Sequence, residues 1–209
     1  MANINKLIEK LKLQFNEKLP GEAAQRKMLA VPRVKVALPN TDEQAIPSAV
    51  VILLFQDGNE IRFFLTERTD TVQHHKGQIS LPGGAREKGE QLFETAIRET
   101  HEEIGVPGKD IKVIGELTPL FVPVTGYMIH PFVGYINYIP KLVPQPGEVN
   151  NDFSISLNDL LDLTNIKTEL WTIRGVPVDV PFYQFDRYKV WGATAMILSE
   201  FKQCIEEIN

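Results

Sequence analysis

The chain has 209 residues, 43% of them hydrophobic, which is enough for one large domain or one domain with an extension. Its formal charge of −5 leaves no basic footprint for a nucleic-acid polymer. The single cysteine, Cys204, excludes an internal disulfide, and the longest uninterrupted apolar run, Ala49 to Phe55, is far too short to cross a bilayer. Charged residues run through the N-terminus, unlike a signal peptide, so the expected compartment is the cytoplasm, with no membrane partner.

Ile4, Leu7, Ile8, Leu11 and Phe15 recur at helical spacing and predict an amphipathic helix. That stripe can pack on its own domain, the simpler expectation, or on a second copy in a homodimer. Leu19-Pro20-Gly21 ends it, and Pro20, Pro32, Pro39 and Pro47 punctuate a wrapping segment with a short helix at Ala23–Met28. Residues 1–47 thus form an N-terminal helical extension, and residues 48–209 form the main domain. Ser48 to Gln56 reads as an apolar strand, Asp57-Gly58-Asn59 as a hairpin turn and Glu60 to Arg68 as the returning strand. Gln78 to Leu81 is short and extended and leads into Pro82-Gly83-Gly84, where glycines let the backbone approach a ligand.

Leu92 to Ile104 predicts a helix, with Gly105 in the left-handed position past its end. Strands follow at Ile111–Leu117 and Ile129–Ile136, a loop at Pro144–Gly147 before Glu148, and a short helix at Leu157–Leu163. Short strands at Glu169–Ile173 and Val180–Phe185 precede a closing amphipathic helix, Ala193 to Ile208. The order is that of an α/β fold.

The helix at 92–104 carries an anomaly. Phe93, Ala96, Ile97, Thr100 and Ile104 share one side, and Glu99, Glu102 and Glu103 fall beside them within about 100°. The last turn of a helix favours cations, yet two adjacent glutamates stand there, and Glu99 repels Glu103 across one turn. A hard divalent cation would compensate, because Mg²⁺ takes carboxylate oxygens and keeps waters for a phosphate substrate. A solvated acidic face is the ordinary alternative for a glutamate-rich helix.

The surrounding spacing decides against it. Gly84, Glu90, Arg98, Glu99, Glu102, Glu103, Gly105 and Val106 resemble the Nudix box, Gly-x5-Glu-x7-Arg-Glu-U-x-Glu-Glu-x-Gly-U with U bulky and apolar. Seven fixed residues at set spacings arise by chance about once in 10⁸ starting points at average residue usage. Thr100, at the first U position, is the one departure. The resemblance implies the Nudix fold, a mixed β-sheet sandwiched between α-helices. It also implies hydrolysis of a nucleoside diphosphate linked to another group, with Mg²⁺ or Mn²⁺.

Outside the box the chain is similar to the coenzyme A pyrophosphatase subfamily. The similarity lies in Leu65-Thr66-x-Arg68-Thr69, His75-x-Gly77-Gln78, Pro82-Gly83-Gly84, Trp191-Gly192-Ala193-Thr194-Ala195, and Leu19-Pro20-Gly21 with Ala24-Gln25. Val72-Gln73 stands where that subfamily usually has Leu-Arg, which removes one phosphate-pairing cation. By this resemblance the metal ligands are Glu99, Glu102 and Glu103, with Glu90 supporting the shell and the Gly84 carbonyl reaching the ion. Arg68, His75, Lys76, Gln78, Gly83 and Gly84 contact a small CoA-like nucleotide. Arg98 pairs with a box carboxylate and fixes its rotamer. Glu99 takes the proton of the water that attacks phosphorus in line, or a loop carboxylate such as Glu148 does so. The expected products from CoA are adenosine 3′,5′-bisphosphate and 4′-phosphopantetheine. A Nudix pyrophosphatase for ADP-ribose, dinucleoside polyphosphates or damaged nucleotides is the alternative. A non-catalytic nucleotide sensor ranks third, because such proteins usually lose a box carboxylate and none is missing here.

Overall fold

The computed structural model describes residues 3–37, 39, 41–68, 78–143 and 149–208, with backbone alone at 68 and 149–152. Helix α1 (Ile4–Gln14) starts at Asn3, whose side chain accepts from the Lys6 amide and so satisfies one of the orphan donors of the first turn. Helix α2 (Glu22–Gln25) runs into a 3₁₀ turn, Arg26–Met28, and β1 is the short pair Val31–Pro32. Then come β2 (Ile46–Asp57), β3 (Glu60–Arg68), β4 (Ile79–Ser80), β5 (Gly83–Ala85) and α3 (Leu92–Ile104). After them lie β6 (Lys112–Glu116), β7 (Leu120–Val122), β8 (Tyr127–Tyr135), β9 (Val149–Ser156) and α4 (Leu157–Leu161). The chain closes with β10 (Ile166–Ile173), β11 (Val176–Phe185), β12 (Tyr188–Trp191) and α5 (Gly192–Ile208).

The main sheet runs β4-β3-β2-β8-β6, with β5 added to β2, β7 to β8 and β9 to β3. It is mixed, because β2 and β8 are parallel while the neighbouring pairs are antiparallel. The strand β2 explains the layering. Ala49, Val51, Leu53 and Phe55 face one core together with Ala96 and Ile104 of α3. Ile52 and Leu54 face a second core built with Ile4, Ile8 and Leu11 of α1 and Leu198, Phe201 and Ile205 of α5. A strand covered on both faces must be apolar at successive positions, which is why 49–55 reads as an unbroken hydrophobic run. Helices therefore cover both faces of the sheet, and the α1 stripe is buried in its own chain.

The C-terminal region departs from the sequence expectation. The two short strands expected at 169–173 and 180–185 are longer, Ile166–Ile173 and Val176–Phe185, and form a hairpin paired from Ile166↔Tyr183 to Ile173↔Val176. With β1 and β12 it makes a separate four-stranded sheet. Pro177 and Pro181 lie inside β11, and proline normally marks an edge or a break rather than a strand paired on both sides. The strand β9 was likewise not expected, because Asn150, Asn151 and Asp152 have low strand propensity.

Hydrogen bonds to α5 tie the two ends of the chain together. Buried Glu200 of α5 accepts from the Gly21 amide (3.1 Å), Gln25 Nε2 (2.9 Å) and the Thr118 hydroxyl (2.7 Å). The Ser199 hydroxyl donates to the Ala24 carbonyl at 2.8 Å. At the other end of α5, Gln14 Nε2 donates to Glu207 at 2.9 Å.

Candidate active site

The turn Pro82-Gly83-Gly84 is pinned between β2 and α3. Gly83 pairs with Val50 and Gly84 with Ala49. Gly83 has φ +151, and a Cβ there would collide with the Ala49 carbonyl oxygen and the Val50 backbone. Only glycine meets both demands. The Gly83 amide donates to Glu103 Oε2 at 3.2 Å, and Glu103 is buried at 3% exposure. At Gly84 the constraint is different. A Cβ would stand 2.5–2.6 Å from the carboxylate atoms of Glu99. The missing side chain is the space that Glu99 occupies.

The helix that brings these carboxylates begins with a capping box between Gln91 and Glu94 and ends on Gly105 at φ 76. Thr100, the departure from the box, is buried and donates its hydroxyl to the Ala96 carbonyl at 2.6 Å, so its polar atom is satisfied one turn back.

Arg98 binds the box together. Its Nε donates to Glu90 Oε1 (2.6 Å), Nη1 to Glu99 (2.8 Å) and Glu102 (2.9 Å), and Nη2 to Glu90 Oε2 (3.2 Å) and the Ala85 carbonyl (3.3 Å). All five guanidinium N–H groups are thereby committed. Glu90 also accepts from Thr95 Oγ1 and the Glu87 amide. The hydrogen bond from Arg98 is the main reason its carboxyl is held down at about 2, while burial works in the opposite direction. Glu90 therefore serves here as the counter-ion of Arg98. Glu102 is 46% exposed and leans on Arg98.

Among the described residues no three acidic, histidine or cysteine side chains form a ready-made metal cage. The chemistry of the donor set nevertheless fits a hard divalent cation: Glu99, Glu102 and Glu103 offer carboxylate oxygens from one helix face, and Gly84 leaves the cradle that a Cβ would fill. Arg98 Nη1 holds one oxygen of Glu99 and one of Glu102, and Glu102, the more exposed of the two, would turn away from it to join a bound ion.

Around this centre the sequence motifs converge. Thr194, in the first turn of α5, donates to the Ile79 carbonyl at 3.2 Å. A Cβ on Gly192 would lie 3.5 Å from Gln78 Nε2. The Trp191–Ala195 motif thus abuts half-buried Gln78 and the strand that enters the glycine turn. Arg68 lies in β3 where the register with β9 shifts; only its backbone is described. His75, Lys76 and Glu148 lie outside the described residues. A further pair escaped the sequence reading: His130 Nδ1 and Glu116 Oε1 stand 2.7 Å apart on β8 and β6. These residues are fourteen apart in sequence, and nothing in their local spacing announces the contact.

A family model described as the NUDIX domain matches residues 45–171, more than half of the chain. The chain belongs to the Nudix hydrolase family and is a pyrophosphohydrolase. Nudix hydrolases generally use divalent metal ions such as Mg²⁺ or Mn²⁺. Among its relatives is a Nudix hydrolase called NudL from Photorhabdus laumondii, 33% identical over 143 residues, covering 68% of this chain and 76% of that one. Another is the peroxisomal coenzyme A diphosphatase ndx-8 of Caenorhabditis elegans, 34% identical over 169 residues, covering 77% and 69%. The Nudix hydrolase RenU of M. smegmatis shares the fold, with a TM-score of 0.52 at 16% identity over 78% of this chain and 88% of that one. No helix among the described residues is long and apolar enough to cross a membrane.

Proposed function

We propose that this Nudix hydrolase cleaves the diphosphate bond of coenzyme A or a derivative of it, releasing adenosine 3′,5′-bisphosphate and 4′-phosphopantetheine, with the cytoplasm as its compartment. The observation that carries the reading is the convergence at Gln78–Gly84. Two stretches similar to the coenzyme A pyrophosphatase subfamily meet there, the Trp191–Ala195 motif through Thr194 and Gly192 and the stretch that enters the glycine turn, and a third, Leu19-Pro20-Gly21, holds the same helix about two turns further on through Glu200. The CoA diphosphatase relative at 34% identity supports it.

In this reading Glu99, Glu102, Glu103 and the Gly84 carbonyl hold Mg²⁺ or Mn²⁺, which when bound neutralises phosphate charge and acidifies a water. Glu99 takes the proton of the attacking water, and Arg98 fixes its carboxylate from one side while the bare Gly84 backbone receives it from the other. Glu103, locked to the Gly83 amide, couples the glycine turn to the helix, so that diphosphate and carboxylates keep one geometry. Glu90 anchors Arg98. Arg68, His75, Lys76 and Gln78 contact the nucleotide.

The test is product identity. CoA incubated with the protein and Mg²⁺ should yield the two named products by mass, and removal of the pantetheine arm should slow cleavage. Equal cleavage of ADP-ribose and CoA would refute the substrate assignment.

A further inference from the structure

The main sheet sets a second polar pair on the face that carries the box glutamates. Gly84 of β5 and His130 of β8 are both in register with Ala49 of β2. Ala49 belongs to the core under α3, and so does Phe132, two residues beyond His130 on β8. Alternation along the strand therefore puts His130 on the α3 face. Glu116 pairs with Phe132 across β6 and β8 and shares that face. Gly84, Ala49 and His130 form one row over three strands. With strands about 4.8 Å apart, the His130 Cα lies about 10 Å from the Gly84 Cα, against which Glu99 packs. Ala49, with only a methyl group, lies between them.

The chemistry of the pair is specific. Nδ1 of His130 is engaged by Glu116 Oε1 at 2.7 Å, which fixes the ring orientation and leaves Nε2 as the one polar atom to present. Among the described residues Nε2 has no hydrogen-bond partner, and the side chain is 21% exposed. Arg98, by contrast, donates all five of its N–H groups to Glu90, Glu99, Glu102 and the Ala85 carbonyl, and a metal that draws Glu102 away releases only one of them toward phosphate. A diphosphate held at the box thus draws little from Arg98, and His130 offers a further donor on the same face.

We propose that His130 contacts the substrate, its Nε2–H donating to a non-bridging oxygen of the diphosphate, and that Glu116 is its positioning residue. An imidazolium donates through both nitrogens, Nδ1–H to Glu116 and Nε2–H to phosphate. The inference rests on the diphosphate being held at Glu99, Glu102 and Glu103; it does not require that the substrate be CoA.

ADP carries the diphosphate common to the candidate substrates and serves as the probe. In calorimetric titration with Mg²⁺ present, His130→Ala should weaken ADP binding about tenfold and raise KM for hydrolysis by the same factor. Its kcat should stay within about twofold of wild type, the mark of a contact made equally in ground and transition states. Glu116→Gln keeps an acceptor oxygen but loses the charge, and should shift both constants the same way by about threefold. His130→Gln, which retains a side-chain N–H, should recover part of the affinity and serves as the second variant should alanine unfold the protein. Unchanged ADP affinity in a folded His130 variant overturns the proposal. So does a fall in kcat at unchanged KM, which would make His130 a proton carrier instead. A wild-type protein that binds ADP but leaves CoA intact would end the CoA reading alone.

Discussion

Substituting Gly84 by alanine isolates the claim that a bare backbone makes room for Glu99. The new Cβ would lie 2.6 Å from the carboxylate oxygens, and an ordinary contact begins at 3.4 Å, so Glu99 must retreat by about 0.8 Å. The obstructing atoms are the far end of a flexible side chain, and Gly84 has no positive φ, so the fold should yield within about 1 kcal/mol. In a chain of this size that is a shift of about 2–4 °C in Tm. Activity should suffer more, because displacing a catalytic group by about 1 Å can cost on the order of 100-fold in rate. Gly83→Ala is the control. Its Cβ would meet backbone of β2, which cannot move aside, and its φ of +151 is strained for any L-residue. The expected cost is about 4 kcal/mol or more. Thermal unfolding and turnover measured on the same preparations should give a folded, inactive Gly84→Ala and an unstable Gly83→Ala. A Gly84→Ala protein with full turnover, or one as unstable as Gly83→Ala, would show that the bare Gly84 backbone does not make room for Glu99.

Further consequences concern charge and the ends of the chain. Glu103→Gln keeps an acceptor for the Gly83 amide, so Tm should hold within about 2 °C while turnover falls by at least about 100-fold; loss of activity through unfolding would count against Glu103 as a ligand. Glu90 has a folded-state pKa of about 2 against an ordinary 4.5, so the stabilisation it draws from Arg98 is complete above pH 4.5 and lost as pH falls toward 2. The Tm difference between wild type and Glu90→Gln, measured without metal, should shrink across that window; a constant difference would contradict the ion pair. Glu200→Ala takes an acceptor from buried Gln25 and from half-buried Gly21 and Thr118, at a cost of about 3 kcal/mol, or about 6–12 °C in Tm. A change below 2 °C, under about 1 kcal/mol, would show that water replaces the carboxylate.

Local signals carried the parts of the fold that local chemistry decides. The helix at 92–104 was legible to the residue because Gly105 stops it and its apolar stripe has helical period. The pair β2 and β3 was legible because Asp57-Gly58-Asn59 separates two apolar runs. The box glutamates were visible because their spacing breaks the electrostatic preferences of a helix end. What the sequence concealed depends on distant pairing. The parallel match of β2 with β8 aligns His130 with Gly84, and no local pattern encodes a parallel register between strands some eighty residues apart. Sequence reasoning paired Arg98 with one box carboxylate, and only the packing of Glu90, Glu99, Glu102 and Ala85 around it shows that all five donors are taken. Pro177 and Pro181 hid the length of β11, and the polar stretch Asn150-Asn151-Asp152 hid β9.

CoA is the proposed substrate of this Nudix site. Side-by-side hydrolysis of CoA, ADP-ribose and a diadenosine polyphosphate at equal concentration, with Mg²⁺ and with products identified by mass, tests it most directly. CoA should be cleaved fastest, at the diphosphate, into adenosine 3′,5′-bisphosphate and 4′-phosphopantetheine. Faster cleavage of ADP-ribose or the diadenosine polyphosphate would contradict it.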